Sequence, residues 1–211
     1  MGPVFPHLHL ITGGQDPLAA VAAAVAAASR LGATDRLAIQ VRVEDHVTDR
    51  DAYELADAVL ELCRPHGVLC LVNDRLHVAL AVGADGGHVG AADLPVAAAR
   101  RVLGSSAMLG ATCRDADAAR AARRAGASYL GVGPAFATTT KTGLPDPLGV
   151  DAIGVVAAAV PDTPIVAIGG VTAKNAAGLR AAGAAAVAVV GAIMNATDPL
   201  RATEELLEAV A

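Results

Sequence analysis

The feature that most constrains the fold is a regular alternation of short apolar runs with longer segments of helical period, repeated eight times in 211 residues. Apolar runs rich in Val, Leu, Ile and Ala predict strands, and segments with apolar residues every three or four positions predict helices. Strands alternating with helices indicate a parallel sheet, and eight such units close into a single (β/α)8 TIM barrel. We expect residues 1–211 to form one domain. A doubly wound open sheet is the alternative.

The predicted strands are residues 7–12, 37–43, 67–72, 87–89, 108–111, 128–132, 164–168 and 186–190. The predicted helices are residues 16–31, 49–64, 74–82, 95–103, 115–125, a helix that ends near 160, 173–182 and 199–210. Hydrophobic residues make up 54% of the chain but aromatic residues only 2%, so aliphatic side chains must fill the core. Small side chains let helices lie close to a sheet, as layered α/β proteins require.

Charge and cysteine content exclude several classes of partner. A formal net charge of −5 argues against nucleic acid, because a phosphate backbone requires a basic surface. No apolar stretch is long enough to span a bilayer, and the N-terminal residues lack a signal-peptide pattern. Three cysteines without CxxC spacing are typical of reduced thiols, so we expect a cytoplasmic protein. The sequence leaves open whether the chain forms a homo-oligomer.

In a parallel barrel the functional residues gather in the loops after the strands. After the second strand, alternation places Gln40 and Arg42 on the same side, and a guanidinium facing the barrel mouth suits bidentate phosphate binding. An outward Arg42 paired to a helix is the alternative.

Two aspartates follow the third and fourth strands. Asp74 and Asp93 lie in neighbouring loops, where each could serve as a helix N-cap. Two carboxylates together with waters and a diphosphate also suit Mg²⁺, which retains much of its hydration. We expect them to hold that ion.

The loop after the sixth strand is long and rich in hydroxyls. It contains Thr138, Thr140 and Lys141, which could enclose a phosphate, although a solvated loop is the alternative. Gly170 and Gly191 follow the last two strands, where backbone N–H groups can approach an anion and where barrels commonly bind phosphate.

Read together, these segments resemble the thiamine phosphate synthase family over nearly the whole chain. The resemblance is carried by QxR after the second strand, ND after the third, HxGxxDLP after the fourth, GPxxxTxTK after the sixth and AIGG near the seventh. It implies a (β/α)8 enzyme that joins a hydroxymethylpyrimidine diphosphate to a thiazole phosphate and releases pyrophosphate, with Mg²⁺ as cofactor and these phosphorylated small molecules as partners.

The resemblance also implies roles for individual residues. Gln40, Arg42 and Lys141 would contact the diphosphate, and Asn73 the pyrimidine. Asp74 and Asp93 would hold Mg²⁺. The thiazole phosphate would lie against Thr138, Thr140, Gly170, Val190 and Gly191. Arg42, Lys141 and Thr112, which aligns with a serine of the family, are the predicted catalytic residues.

The chain departs from the family pattern at four positions. Glu44 replaces a lysine, Thr112 a serine, Arg114 a histidine and Ala91 a glutamine. Glu44 places a negative charge beside the expected diphosphate. We hypothesise that Arg114 supplies the missing cation.

These departures keep three other functions open. The related thiazole tautomerase relies on a histidine where this chain has Arg114 and does not require the metal carboxylates. A non-catalytic paralogue that binds thiamine phosphate or its precursors is suggested by Glu44 and Ala91. Another phosphate-binding isomerase or aldolase is a third alternative, although neither Lys141 nor Lys174 lies on a strand as a Schiff-base lysine would. His88 could act as a general base, but we expect it to shape the pocket through hydrogen bonds.

Overall fold

The computed structural model describes residues 5–14, 16–140 and 143–211. Within them, eight strands alternate with helices along the chain. Strands β1 to β8 are Leu8–Ile11, Leu37–Val41, Leu69–Asn73, Gly86–Val89, Met108–Cys113, Tyr129–Val132, Ile165–Ile168 and Ala186–Val189. Helices α1 to α9 are Pro17–Arg30, Asp49–Cys63, Leu76–Val82, Val96–Leu103, Ala116–Arg124, Gly149–Ala159, Ala173–Ala181, Gly191–Met194 and Pro199–Ala209.

The strands form a closed parallel barrel in sequence order. Leu8 of β1 lies opposite Leu37 of β2 and also opposite Val187 of β8, so the first and last strands complete the ring. The predicted (β/α)8 barrel is confirmed, and the doubly wound alternative is wrong because an open sheet would leave β1 and β8 as edges. That residues 1–211 are one domain stays a prediction.

The predicted boundaries agree with the structure to within two residues. Asp16 caps α1 as expected, accepting a hydrogen bond from the backbone N–H of Ala19, with Pro17 as the first helical residue. The sequence did not predict α8, a four-residue helix directly after β8. It also placed the start of α3 two residues early, because Asp74 has a left-handed backbone conformation that cannot continue a helix.

Alternation along the strands separates two regions of the core. Outward-facing residues such as Leu10, Ile39 and Val72 pack against the helices in one large cluster. Inward-facing residues form a second cluster around Tyr129, together with Ile11, Leu71, Val166, Ala186 and Ala188. Tyr129 is the largest of the fully buried side chains in the described residues.

Cys63, Cys70 and Cys113 are buried free thiols, as expected for reduced cysteines. In the part of the chain that the structure describes, none of the helices has both the length and the apolar character that crossing a membrane demands.

His9 faces the barrel interior beside Tyr129, with the two ring centroids 5.5 Å apart. It is 1% exposed, and its Nε2 has no hydrogen-bond partner among the described residues. Burial, and to a smaller extent the charge of nearby His88, lowers the pKa of His9 from 6.5 to about 3. His9 is therefore held neutral in the folded protein.

This burial predicts acid sensitivity. Because the pKa of His9 is lower in the folded state, the unfolded state binds more protons below pH 6.5, and stability falls as pH drops from there toward about 3. We expect His9→Phe to reduce the pH dependence of the free energy of unfolding by about 1.4 kcal/mol per pH unit in this window. Urea denaturation at several pH values measures it. His46→Phe is the control, since His46 is exposed; equal slopes for wild type and His9→Phe would contradict the prediction.

Candidate active site

The ends of β2 and β3 bring two of the predicted polar residues into direct contact. Gln40 is 4% exposed, and its side-chain amide donates to the Asn73 Oδ1 at 2.9 Å. This bond fixes both amides and leaves the Asn73 amide N–H groups available at the barrel mouth. The predicted pair is therefore assembled by neighbouring strands.

Arg42 lies just beyond β2, where Thr12 holds its backbone. The Thr12 hydroxyl donates to the Arg42 carbonyl at 2.9 Å and accepts from the Arg42 N–H at 2.8 Å. The Arg42 guanidinium donates to both carboxylate oxygens of Glu44, at 3.1 and 3.3 Å. Arg42 thus pairs with its own loop and not with a helix, and Glu44 occupies the bidentate position that a phosphate would take.

Arg75 holds the loop that carries Glu44. Its guanidinium donates to the carbonyls of Glu44 and Val47 and to the carboxylate of Asp49, at 3.4, 2.6 and 2.8 Å. The side chain is 17% exposed, so these bonds are partly shielded from water. Arg75, the residue after Asp74, therefore ties the loop after β2 to the loop after β3.

Asp74 is the one residue other than glycine with a positive φ in the described ranges, at 60°. Aspartate enters this left-handed region more readily than most residues, but the conformation still costs free energy. The Asp74 N–H donates to the His88 carbonyl of β4 at 2.8 Å, which anchors it to the neighbouring strand. The N-cap residue of α3 is Arg75, so Asp74 is not the helix cap that its position in the sequence suggested.

Asp93 lies exposed in the loop after β4. Its Oδ2 accepts from the Gly90 N–H at 2.7 Å, which orients the carboxylate within a tight turn. The N-cap residue of α4 is Pro95, so the helix-cap alternative is wrong for Asp93 as well.

The two carboxylates fit Mg²⁺ better than a metal that requires many protein ligands. Asp74 and Asp93 follow adjacent strands on the same rim, and both are exposed. No group of three His, Cys, Asp or Glu residues that could hold a metal occurs within residues 5–14, 16–140 and 143–211. A few hard oxygen donors, completed by water and substrate phosphate, are what Mg²⁺ typically uses.

His88 connects two strands by hydrogen bonds inside the barrel. Its Nδ1 lies 3.1 Å from the Tyr129 hydroxyl and its Nε2 lies 2.9 Å from the Thr112 hydroxyl. Burial lowers the pKa of His88 to about 4 and raises the pKa of Tyr129 well above its usual value. His88 therefore shapes the pocket through hydrogen bonds, as the sequence led us to expect.

Two glycines make room for this cluster. A Cβ atom on Gly110 would overlap the Tyr129 ring and the Nδ1 of His88, and one on Gly131 would lie 3.0 Å from the His88 ring. Both glycines occupy inward-facing positions, on β5 and β6. The space that a larger residue would fill is thus taken by the imidazole and the phenol.

The predicted phosphate-binding residues are brought together by the loop after β6. A Cβ atom on Gly191 would lie 3.6 Å from the Thr140 hydroxyl, and Thr140 in turn bonds Thr138 through its N–H at 3.3 Å. Gly170 has a φ of 63° and packs so closely against the same loop that a Cβ would overlap the Ala137 carbonyl. Val190 is the residue directly before α8. Lys141 lies outside the described residues.

The Arg114 guanidinium is bonded to the backbone of the loop after β6. Its two terminal nitrogens donate to the carbonyls of Gly133 and Asp146, at 3.1 and 2.8 Å. These carbonyls lie near the two ends of the long loop after β6. Arg114 therefore braces the loop, and its replacement of the cation missing at Glu44 stays a hypothesis.

Sequence reasoning missed Thr12, Arg75 and Tyr129. Each acts on a predicted site residue from a different strand or loop, and a contact of that kind leaves no local pattern in the sequence. The inward-facing glycines at positions 110 and 131 are the one signal that could have indicated a bulky side chain opposite them.

Comparison with known proteins agrees with this geometry. Residues 8–193 match the thiamine monophosphate synthase family. The chain belongs to this family.

Named members of the family are similar over nearly the whole chain. The thiamine-phosphate synthase of Salinispora arenicola is 60% identical over 206 residues and that of Salinispora tropica 59%, with 96% of this chain and 96% of each relative covered. The thiamine phosphate pyrophosphorylase structure from Pyrococcus furiosus has a TM-score of 0.85 at 33% identity and covers 97% of this chain and 95% of its own. The predicted membership in the thiamine phosphate synthase family is confirmed.

The close packing around Gly110 predicts that a larger residue at this position destabilises the protein. Gly110→Ala forces a methyl group into Tyr129 and His88, and we expect a loss of about 1–3 kcal/mol in the free energy of unfolding. Gly178→Ala is the matched control, because a Cβ there meets nothing within 4 Å and lies in α7, where alanine stabilises by up to about 1 kcal/mol. Urea unfolding of both variants measures the difference; equal stabilities would contradict the packing described for the barrel interior.

Proposed function

We propose that the protein is a thiamine-phosphate synthase, a transferase that joins hydroxymethylpyrimidine diphosphate to thiazole phosphate and releases pyrophosphate. The relatives of that name at about 60% identity, which cover nearly the whole chain, carry the proposal. The geometry agrees with it, because amide, guanidinium and carboxylate groups from adjacent strands converge on one rim of the barrel.

The diphosphate substrate binds at the ends of β2 to β4. Arg42 and Lys141 neutralise its charge, Gln40 contacts it, and Asn73 hydrogen-bonds the pyrimidine with the amide that Gln40 holds in place. Asp74 and Asp93 would hold Mg²⁺. The bound ion supplies charge neutralisation for the departing diphosphate.

The second substrate binds across the mouth of the barrel. Its phosphate lies among a set of hydroxyls and backbone groups from the loops after β6, β7 and β8. That set is Thr138, Thr140, Gly170, Val190 and Gly191. The Thr140 hydroxyl lies where a Cβ atom on Gly191 would come within 3.6 Å of it, which supports this grouping. Glycines at such positions let backbone N–H groups approach the anion.

The reaction needs no nucleophilic side chain. The bond between the pyrimidine methylene and the diphosphate oxygen breaks, and its electron pair leaves with the diphosphate. The thiazole nitrogen forms the new bond to the same carbon. Arg42 and Lys141 stabilise the negative charge that grows on the leaving group, and fixed positions for both substrates lower the entropy cost of their encounter. Thr112, which contacts His88, completes the catalytic set.

One observation favours the non-catalytic alternative: the guanidinium of Arg42 is engaged by Glu44. An exposed ion pair of this kind is weak, typically worth about 1 kcal/mol or less, so a diphosphate carrying more charge can displace it. The carboxylates at Asp74 and Asp93 favour the synthase over the tautomerase, which does not require them. We place the enzyme in the cytoplasm because its three cysteines are free thiols, as is typical of a reducing compartment.

The central test measures pyrophosphate release with both substrates and Mg²⁺. We expect Asp74→Asn and Asp93→Asn each to lower kcat/KM roughly 100-fold, because asparagine keeps the shape but loses the charge that holds the metal. Asparagine also tolerates the left-handed backbone at position 74 and can still accept the Gly90 N–H at position 93.

Asp45→Asn is the matched control, since Asp45 is an exposed carboxylate on the loop after β2. Wild-type protein that binds both substrates but releases no pyrophosphate would identify the non-catalytic paralogue. Full activity in both aspartate variants would contradict the proposal that these two carboxylates hold Mg²⁺.

Glu44 competes with the diphosphate for Arg42, so its removal should favour the substrate. We expect Glu44→Gln to lower KM for the pyrimidine diphosphate by about fivefold at low ionic strength, with a smaller effect at high salt. Asp45→Asn again controls for the loss of one nearby charge. A higher KM in Glu44→Gln would mean that Glu44 instead orients Arg42 for binding.

A further inference from the structure

The hydrogen bonds inside the barrel determine which ring nitrogen of His88 carries the proton. The phenol of Tyr129 has a single hydrogen and needs an acceptor for it. Tyr129 is 1% exposed, so bulk solvent does not reach its hydroxyl. In the described structure, His88 Nδ1 is the one group within hydrogen-bond distance of the hydroxyl, and the Nε2 of the adjacent His9 is unbonded.

Only one arrangement satisfies Tyr129. If His88 Nδ1 carried a hydrogen and donated it, the phenolic hydrogen would be buried without an acceptor, at a cost of about 1–3 kcal/mol. Nδ1 therefore accepts from Tyr129, and the ring hydrogen resides on Nε2. The Nε2–H then donates to the Thr112 hydroxyl oxygen, which lies 2.9 Å away.

The consequence appears at Thr112. Its oxygen already accepts from His88, so its own hydrogen is directed elsewhere, and no other described group accepts it. Thr112 is half-buried at the end of β5, on the rim where the other site residues lie. The chain of bonds from Tyr129 through His88 thus presents Thr112 to the barrel mouth as a donor.

We propose that Tyr129 and His88 are positioning residues that fix Thr112 as a hydrogen-bond donor. Thr112 then donates to a substrate atom that carries a lone pair. The acceptor is a diphosphate oxygen or a ring nitrogen of the pyrimidine. Gly110 and Gly131 belong to the same arrangement, since larger residues there would displace His88 or Tyr129. The identity of the ligand at Thr112 rests on the proposed function, whereas the tautomer of His88 does not.

The tautomer is tested on the ligand-free full chain, without any assay of activity. Long-range ¹H–¹⁵N NMR distinguishes a protonated from an unprotonated imidazole nitrogen, and His88→Gln assigns the signals. We expect His88 as the Nε2–H form alone in wild type, and a mixture of both tautomers in Tyr129→Phe. A wild-type ring with a hydrogen on Nδ1 would overturn the proposal.

The role of the relay is tested by a double-mutant cycle on pyrophosphate release. Thr112→Val removes the hydroxyl, and we expect it to lower kcat/KM about tenfold, while Thr112→Ser keeps most of the activity. Tyr129→Phe should lower kcat/KM by about threefold in the Thr112 background and have no further effect in the Thr112→Val background. Equal losses in both backgrounds would indicate a purely structural role and overturn the proposal.

Tyr53→Phe is the matched control, because Tyr53 is the chain's other tyrosine and is exposed on α2.

Calorimetry with pyrophosphate and Mg²⁺ identifies the acceptor. Weaker pyrophosphate binding in Thr112→Val assigns a diphosphate oxygen, whereas unchanged binding with a raised KM for the pyrimidine substrate assigns a ring nitrogen. No change in either quantity would overturn the proposal. Wild-type protein without synthase activity would refute the proposed function and leave the NMR result standing.

Discussion

The closure of the sheet between β1 and β8 is the constraint on which the rest of the structure depends. Parallel pairing in sequence order places the carboxyl ends of all eight strands on one rim, so residues far apart in the chain become neighbours. Pairing of adjacent strands brings Gln40 to Asn73 and anchors Asp74 to His88. The same rim places the Thr140 hydroxyl 3.6 Å from where a Cβ atom on Gly191 would lie. Without closure, the loops after β6 and β8 would not share a mouth with those after β2 and β3.

A second constraint is the small size of most interior side chains. The barrel interior holds Tyr129, two histidines and aliphatic residues with Phe5 packed against them, and the inward-facing glycines of β5 and β6 leave space for the aromatic rings. Packing and hydrogen bonding are therefore coupled, because the Tyr129 phenol packs inside the barrel and also bonds to His88. A substitution at Gly110 changes stability and site geometry together.

The fold could be predicted from the sequence because its signal is repeated. Eight alternations of strand and helix have few other solutions, and the positions of Asp74, Asp93, Gly170 and Gly191 followed from the repeat. The left-handed conformation of Asp74 could not be predicted, since it depends on its bond to β4. The ion pair of Arg42 with Glu44 and the bonds of Arg114 to two backbone carbonyls depend on side-chain directions that residue spacing does not determine. The helix-cap alternative is wrong for both aspartates, because the N-cap residues of α3 and α4 are Arg75 and Pro95.

Under the proposed function, groups of opposite charge on one rim of the barrel bind a diphosphate together with Mg²⁺. In that proposal Arg42 supplies the positive charge and Asp74 and Asp93 supply the oxygen donors, while Glu44 pairs with Arg42 in the ligand-free protein. Equilibrium titration of the full chain with pyrophosphate, in Mg²⁺ and in chelator, tests this claim most directly. We expect binding in Mg²⁺ that weakens at least about tenfold in chelator, since two carboxylates alone repel the anion. Equal affinity under both conditions would contradict the account.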